Sequence, residues 1–264
     1  MVQQILIGSI LAGVIALFSV KLNLLTKSGS IAAFFLALPI FGFGGLKWSI
    51  PILTFFLLSN LISKIAKTKN ENIELYFEKS GARDAVQVFA NGGVGALLII
   101  LNILFPNPIY YYIYLASLAA VCADTWATEI GTIFKTNTYN AVSFQKVEQG
   151  VSGGISLNGL LGAAAGSMAI ALSGFLWNEL LPLFYFISIV SAGLFGSYVD
   201  SLIGASFQVQ YKCSVCSKTT ERKIHCSENA VQCKGLSWIN NDIVNLSSSL
   251  AGGLFFIIIF RISA

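Results

Sequence analysis

The chain has 264 residues, 55% hydrophobic and only 11% charged, with a formal net charge of +4. An ordinary soluble domain carries roughly 25% charged residues, and a single core of this size cannot hide so much apolar side chain. The composition therefore excludes a soluble enzyme, a nucleic-acid module and a disordered chain, and describes a polytopic membrane protein.

Taken in chain order, runs long enough to cross a bilayer, about 20 residues each, fall at 2–20, 28–46, 48–66, 84–105, 109–131, 153–177, 183–206 and 241–262. The first has no basic residues ahead of it and no small-residue cleavage site, so it reads as a retained span. The second is shortened by Pro39 and the Gly42, Gly44, Gly45 cluster. Backbone polar groups must pair within the segment in hydrocarbon, and the runs do not alternate, so helices are expected rather than a barrel. The expectation is all-α: one transmembrane helix bundle over 1–264, with a Cys/His-containing loop at 207–240. Of the 16 basic residues, only Lys47 and Arg261 fall on one side of this layout. The rest, including Lys79, fall on the other. The positive-inside rule then places the long loops in the cytoplasm, both termini outside and the active face cytoplasmic, in a cell membrane. The loops at Pro106-Asn107-Pro108 and Asn178-Glu179 are external. Trp126, Trp238 and the aromatic group from Tyr110 to Tyr114 lie near span ends and are expected as interfacial anchors. No basic arm suggests nucleic acid.

An ionisable side chain inside a span costs roughly 2.5–3.5 kcal/mol or more, and by default marks function. Asp84 opens the fourth span, with Gln87 and Asn91 on its face. Asp124 and Glu129 lie near the inner end of the fifth, and Asp200 near the inner end of the seventh. Asn240, Asn241, Asp242 and Asn245 open the eighth. Any one of these acids could simply reach headgroup water or a nearby Lys or Arg. Four helix ends carrying acids and amides at one membrane depth suit a hard divalent cation.

The loop into the sixth span reads Lys146-Val147-Glu148-Gln149-Gly150-Val151-Ser152-Gly153-Gly154, with Ser156 and Asn158 following. Glycine-rich backbone feeding a helix N-terminus is a ready anion site, to which Lys146 and Ser152 would add a charge and a hydroxyl. Glycines equally serve tight loops and helix packing, and the pattern is not a Walker A loop. Further on, Cys213-x-x-Cys216, His225-Cys226 and Cys233 offer ligands for a structural Zn²⁺; unligated thiols or redox pairing are the alternatives. Cys122, inside a span, reads as a small packing residue.

These blocks resemble an integral membrane family, long labelled a domain of unknown function, that includes plant phytyl-phosphate kinase. The matching stretches are 83–93, Ala123-Asp124-Thr125-Trp126-Ala127-Thr128-Glu129-Ile130-Gly131, 150–159, 196–208, the two Cys/His pairs and 238–245. Leu25-Thr26-x-Ser28-Gly29 and 59–64 match more loosely. The resemblance implies a prenyl-phosphate kinase, using a nucleoside triphosphate to convert an isoprenoid monophosphate to the diphosphate. A distant likeness to CTP-using polyprenol kinases, through Lys146-Val147-Glu148-Gln149-Gly150, implies CTP as one possible donor. On this reading Asp124, Glu129, Asp200 and Asp242 hold Mg²⁺ and the triphosphate. Asn91, Asn158 and Asn241 orient oxygens, Arg83 and Lys146 neutralise charge, and the Gly153-Gly154 backbone cradles phosphate. The competing class is a membrane transporter of a small or lipidic solute, with its site at broken helices.

Overall fold

The computed structural model describes residues 2–69, 81–176 and 183–263; Lys79, Asn178 and Glu179 lie outside the described residues. Among the described residues the fold is carried by seven helices: α1 Val2–Lys21, α2 Lys27–Lys69, α3 Ala85–Leu104, α4 Ile109–Ile133, α5 Leu157–Phe175, α6 Leu183–Ser206 and α7 Asn241–Ser263. Gly45 interrupts α2 with φ 61° and ψ −159°, a backbone region essentially reserved for glycine. The chain doubles back there. Gly29, in the first half, packs on the Arg83 carbonyl, and Ser63, in the second half, reaches Glu129. Trp48 sits at the opposite end, against Tyr114. Divided at Gly45, α2 covers the second and third expected runs. The protein is a polytopic membrane bundle of helices. Six of the helices are long and apolar enough to cross a membrane, and Leu6, Ile7, Leu57, Leu97, Leu172 and Ile258 present apolar surface outward.

The remaining helix, α4, is the axis of the bundle, in contact with α2, α3, α5, α6 and α7. Every residue from 113 to 123 is buried. A helix enclosed by protein need not satisfy lipid, so it can carry Asp124 and Glu129. Small residues bring its neighbours close. A Cβ on Gly162 would lie 2.5 Å from the Trp126 carbonyl oxygen, and one on Gly166 would lie 2.8 Å from that of Cys122.

Three aromatic residues expected at the membrane interface are instead in the core. The Tyr114 hydroxyl, fully buried, donates to the Trp48 carbonyl at 2.7 Å, and the Tyr111 hydroxyl donates to that of Gly174 at 2.7 Å. Trp126 Nε1 donates to Ser59 Oγ at 3.1 Å. A phenol or indole buried with a partner for its polar atom is as stable as one at the headgroups. Trp238 is exposed.

The connections at the C-terminal end of α4 carry small sheets that periodicity cannot reveal in strands of two to four residues. The strands β1 Thr138–Asn140, β2 Lys146–Val147 and β3 Gly154–Ile155 pair antiparallel in the order β2-β1-β3. In the later loop β4 Gln210–Lys212, β5 Thr219–Thr220 and β8 Val231–Lys234 pair as β5-β4-β8, and β6 Ile224–His225 pairs with β7 Glu228–Asn229. The sixth expected span begins four residues late for this reason. Residues 154–155 are strand, and Ser156 caps α5 by accepting the Gly159 N–H at 3.1 Å.

Candidate functional site

A cavity of about 610 Å³ opens at this end of the bundle. The last turns of α4 supply Asp124, Thr125, Thr128 and Glu129, and α6 supplies Asp200. From α3 come Gln87 and Asn91, and from α7 come Asn241 and Asn245, four apart on one face. Arg83 enters from the loop ahead of α3. Its N–H donates to the Leu24 carbonyl at 3.1 Å, its own carbonyl accepts the Thr26 N–H at 3.0 Å, and its guanidinium lies 5.6 Å from the Phe55 ring centre. Burial works against the Arg83 charge and Glu129 supports it.

Asp124 and Asp200 stand on the same wall, near enough for their carboxyl groups to interact directly. Two carboxylates that close repel unless a proton or a cation lies between them. Asp200 Oδ2 and Asn91 Oδ1 are buried and accept no hydrogen bond. Oxygen acceptors with unspent lone pairs beside paired carboxylates fit a hard cation such as Mg²⁺. Glu129 Oε1 accepts from Ser63 Oγ at 2.5 Å.

Of the expected site residues, Asp124, Glu129, Asp200, Arg83, Asn91, Ser152, Gly153, Gly154 and Asn241 line this cavity. Three expected members do not. Lys146 is exposed on β2, opposite Tyr139. Asn158 is the second residue of α5, off the cavity wall. Asp242 is buried in the first turn of α7, where an acid complements the helix dipole. The glycine-rich segment is also less open as an anion cradle than its sequence suggests. The Gly154 N–H donates to the Val151 carbonyl, the Ser152 hydroxyl donates to Glu221, and Ser156 is the helix cap. Gly153 (φ 77°) is there for close approach: a Cβ would come within 2.2 Å of the Ala205 nitrogen on α6.

Two groups on the wall escaped the sequence reading. Asn60, Ser63, Lys64 and Lys67, from α2, line the cavity at helical spacings of three, four and seven. That stripe was available as a signal. Glu221 gave none, because Arg222-Lys223 beside it reads as a solvated turn. It is buried, lines the cavity, and accepts from the Ser152 hydroxyl and from Gln208 Nε2 at 2.9 Å.

Outside the cavity, the ligand atoms of Cys213, Cys216, His225 and Cys226 all lie within 4.8 Å of one another. The Cys216 backbone N–H leads the groups that lower the Cys213 thiol to about 6, whereas burial and then the neighbouring thiols push Cys226 up to about 11. Cys233, also expected as a ligand, stands apart on β8, its Sγ 3.5 Å from the Gln210 carbonyl.

A family model described as integral membrane protein DUF92 matches residues 10–253. Among individual relatives, Protein PGR of Arabidopsis thaliana is 26% identical, covering 94% of this chain and 93% of its own length. An uncharacterized membrane protein of Methanocaldococcus jannaschii is 28% identical over 97% and 94%. Protein VTE6, chloroplastic, of Arabidopsis thaliana is 23% identical over 87% and 63%. No solved structure matches the chain.

Proposed function

The chain belongs to the integral membrane family DUF92, and from that premise we propose that it is a prenyl-phosphate kinase acting at the cytoplasmic face of a cell membrane. The reaction joins a terminal oxygen of an isoprenoid monophosphate to the γ-phosphorus of a nucleoside triphosphate, CTP among the candidates. The bond from that phosphorus to the β–γ bridging oxygen breaks, leaving a prenyl diphosphate and a nucleoside diphosphate. The observation that carries this reading is the division of charge in one cavity. The Asp124–Asp200 pair, Glu129 and Glu221 stand on the wall with Arg83, Lys64 and Lys67, at the end of an otherwise lipid-facing bundle.

Phosphoryl transfer asks mainly for positioning and charge neutralisation. Asp124 and Asp200, with the Asn91 side-chain oxygen, would hold Mg²⁺, which when bound neutralises phosphate oxygens. Arg83 and Lys64 face the remaining phosphate charge. Lys146 has no part in this arrangement. A phosphate nucleophile is already ionised, so no strong general base is needed. That agrees with a cavity wall without histidine among the described residues. Leu22, Leu24, Leu160 and Leu194 are also on the wall and offer apolar surface to the isoprenoid chain. The transporter reading rested on broken helices. Among the described helices the non-helical break is Gly45, at the end of the bundle away from the cavity.

The test is an assay of the purified protein in detergent with Mg²⁺, each nucleoside triphosphate, and farnesyl, geranylgeranyl or phytyl monophosphate. At least one pairing is expected to give the diphosphate, with Asp124→Asn inactive but normally folded. A folded wild-type protein that makes no diphosphate from any pairing removes the proposal.

A further inference from the structure

We propose that Cys213, Cys216, His225 and Cys226 bind one zinc ion, and that this centre seats Glu221 in the cavity. A tetrahedron of thiolates at a Zn–S distance of about 2.3 Å has edges of about 3.8 Å. An edge from imidazole nitrogen to sulfur, with Zn–N about 2.0–2.1 Å, is shorter, about 3.5 Å; His225 Nδ1 is 3.6 Å from Cys216 Sγ and 3.2 Å from Cys226 Sγ. Three thiols and one imidazole are a familiar structural zinc set. Cys233, with its sulfur beside the Gln210 carbonyl, is not a ligand.

The backbone is shaped for those ligands. The Cys213 N–H donates to the Lys218 carbonyl, and the Ser217 N–H donates to that of Cys213, each at 3.0 Å. This folds the first pair into a knuckle with Ser217 at φ 58°. The second pair sits on the β6–β7 hairpin, whose two turn residues, Cys226 and Ser227, both have positive φ without being glycine. Such a turn normally asks for Asn-Gly or Gly-Gly. Its strain is sustained where something else fixes the hairpin, and a metal bound to His225 and Cys226 would do so.

Glu221 stands midway between the two ligand pairs, directly after β5. Strands of two residues hold little by themselves. Yet the Glu221 carboxylate is buried and receives the Ser152 hydroxyl from the glycine-rich segment across 69 positions of sequence. Gln210, just ahead of Cys213, adds donations to the carbonyls of Ser152 at 3.4 Å and Gly204 at 3.2 Å. A metal that closes the loop at both ends removes the alternative conformations in which Glu221 swings out. The consequence concerns the same cavity as the kinase reading, but its test makes no use of turnover.

The full chain, purified in detergent without added metal, is measured for zinc by elemental analysis and for amide hydrogen exchange over 149–156. The expected result is one zinc per chain in the wild type, in Cys233→Ser and in Glu221→Ala, with none in Cys216→Ser. Exchange over 149–156 should quicken by about tenfold or more in Cys216→Ser, in Glu221→Ala and in wild-type protein stripped by a zinc chelator. Chelation covers the case in which Cys216→Ser does not fold. A folded wild-type chain without zinc, with iron instead or with these cysteines disulfide-bonded, overturns the proposal. So does loss of zinc in Cys233→Ser, or zinc removal that leaves exchange over 149–156 unchanged.

Discussion

Replacing Gly153 with alanine tests how the cavity floor is held. The residue has φ 77°, a conformation that costs a non-glycine residue about 1–2 kcal/mol. The added Cβ would lie 2.2 Å from the Ala205 nitrogen and 2.4 Å from its Cα. Both are backbone atoms of α6, which cannot turn aside as a side chain can. Restoring ordinary contact at 3.4 Å or more requires the segment to move off α6 by roughly 1 Å. Overpacking of this kind costs about 1–3 kcal/mol, for a combined loss of about 2–5 kcal/mol. Ser152 and Gly154 move with it, and a displacement of that size at a reacting centre lowers turnover by about 100-fold. Unfolding in detergent and the phosphoryl-transfer assay read the two effects. Gly93→Ala is the control, since nothing lies within 4 Å of its Cβ; stability there should be unchanged or higher by about 0.5–1 kcal/mol. A Gly153→Ala protein that melts and turns over like wild type would refute the reasoning.

Arg83→Ala should lower turnover by about 100-fold or more through loss of a charge aimed at phosphate. Its stability should change little, because the bonds to Leu24 and Thr26 are made by the backbone. Lys146→Ala should leave both within about twofold, as expected for an exposed residue off the wall; a large loss in the assay would return Lys146 to the site. Tyr114→Phe removes a buried donor from the Trp48 carbonyl and should cost about 1 kcal/mol in detergent unfolding. No change there would mean that the far end of the bundle is not fastened by that bond.

The helices were legible because runs of about 20 apolar residues have few other uses; the glycine cluster that shortened the second run contains Gly45, where the chain reverses. Asp124, Glu129 and Asp200 were legible because charge is scarce in this chain, so each acid near a span end stands out. Asp242 carries the same signal but lies off the cavity wall; sequence fixes its depth and not whether it faces the cavity or the helix packing. Tyr111, Tyr114 and Trp126 were misread for a related reason: an aromatic near a span end suits the headgroups or a neighbouring carbonyl equally well, and only tertiary contacts decide. Glu221 was invisible because its burial depends on Ser152 and Gln208, brought together by strands too short to carry a pattern. The glycine-rich segment shows the converse. Its composition suggested phosphate, but the space around Gly153 and the bond made by Gly154 assign much of it to packing.

The most direct test of the account supplies a nucleoside triphosphate labelled at the γ-phosphoryl group, with Mg²⁺ and a prenyl monophosphate, and follows the label in wild type and in Asp200→Asn. The account predicts label in the terminal phosphate of the prenyl diphosphate with wild type, and a loss of about 100-fold or more in a folded Asp200→Asn protein. Label that stays in nucleotide or appears only as free phosphate, or an Asp200→Asn protein as active as wild type, would contradict it.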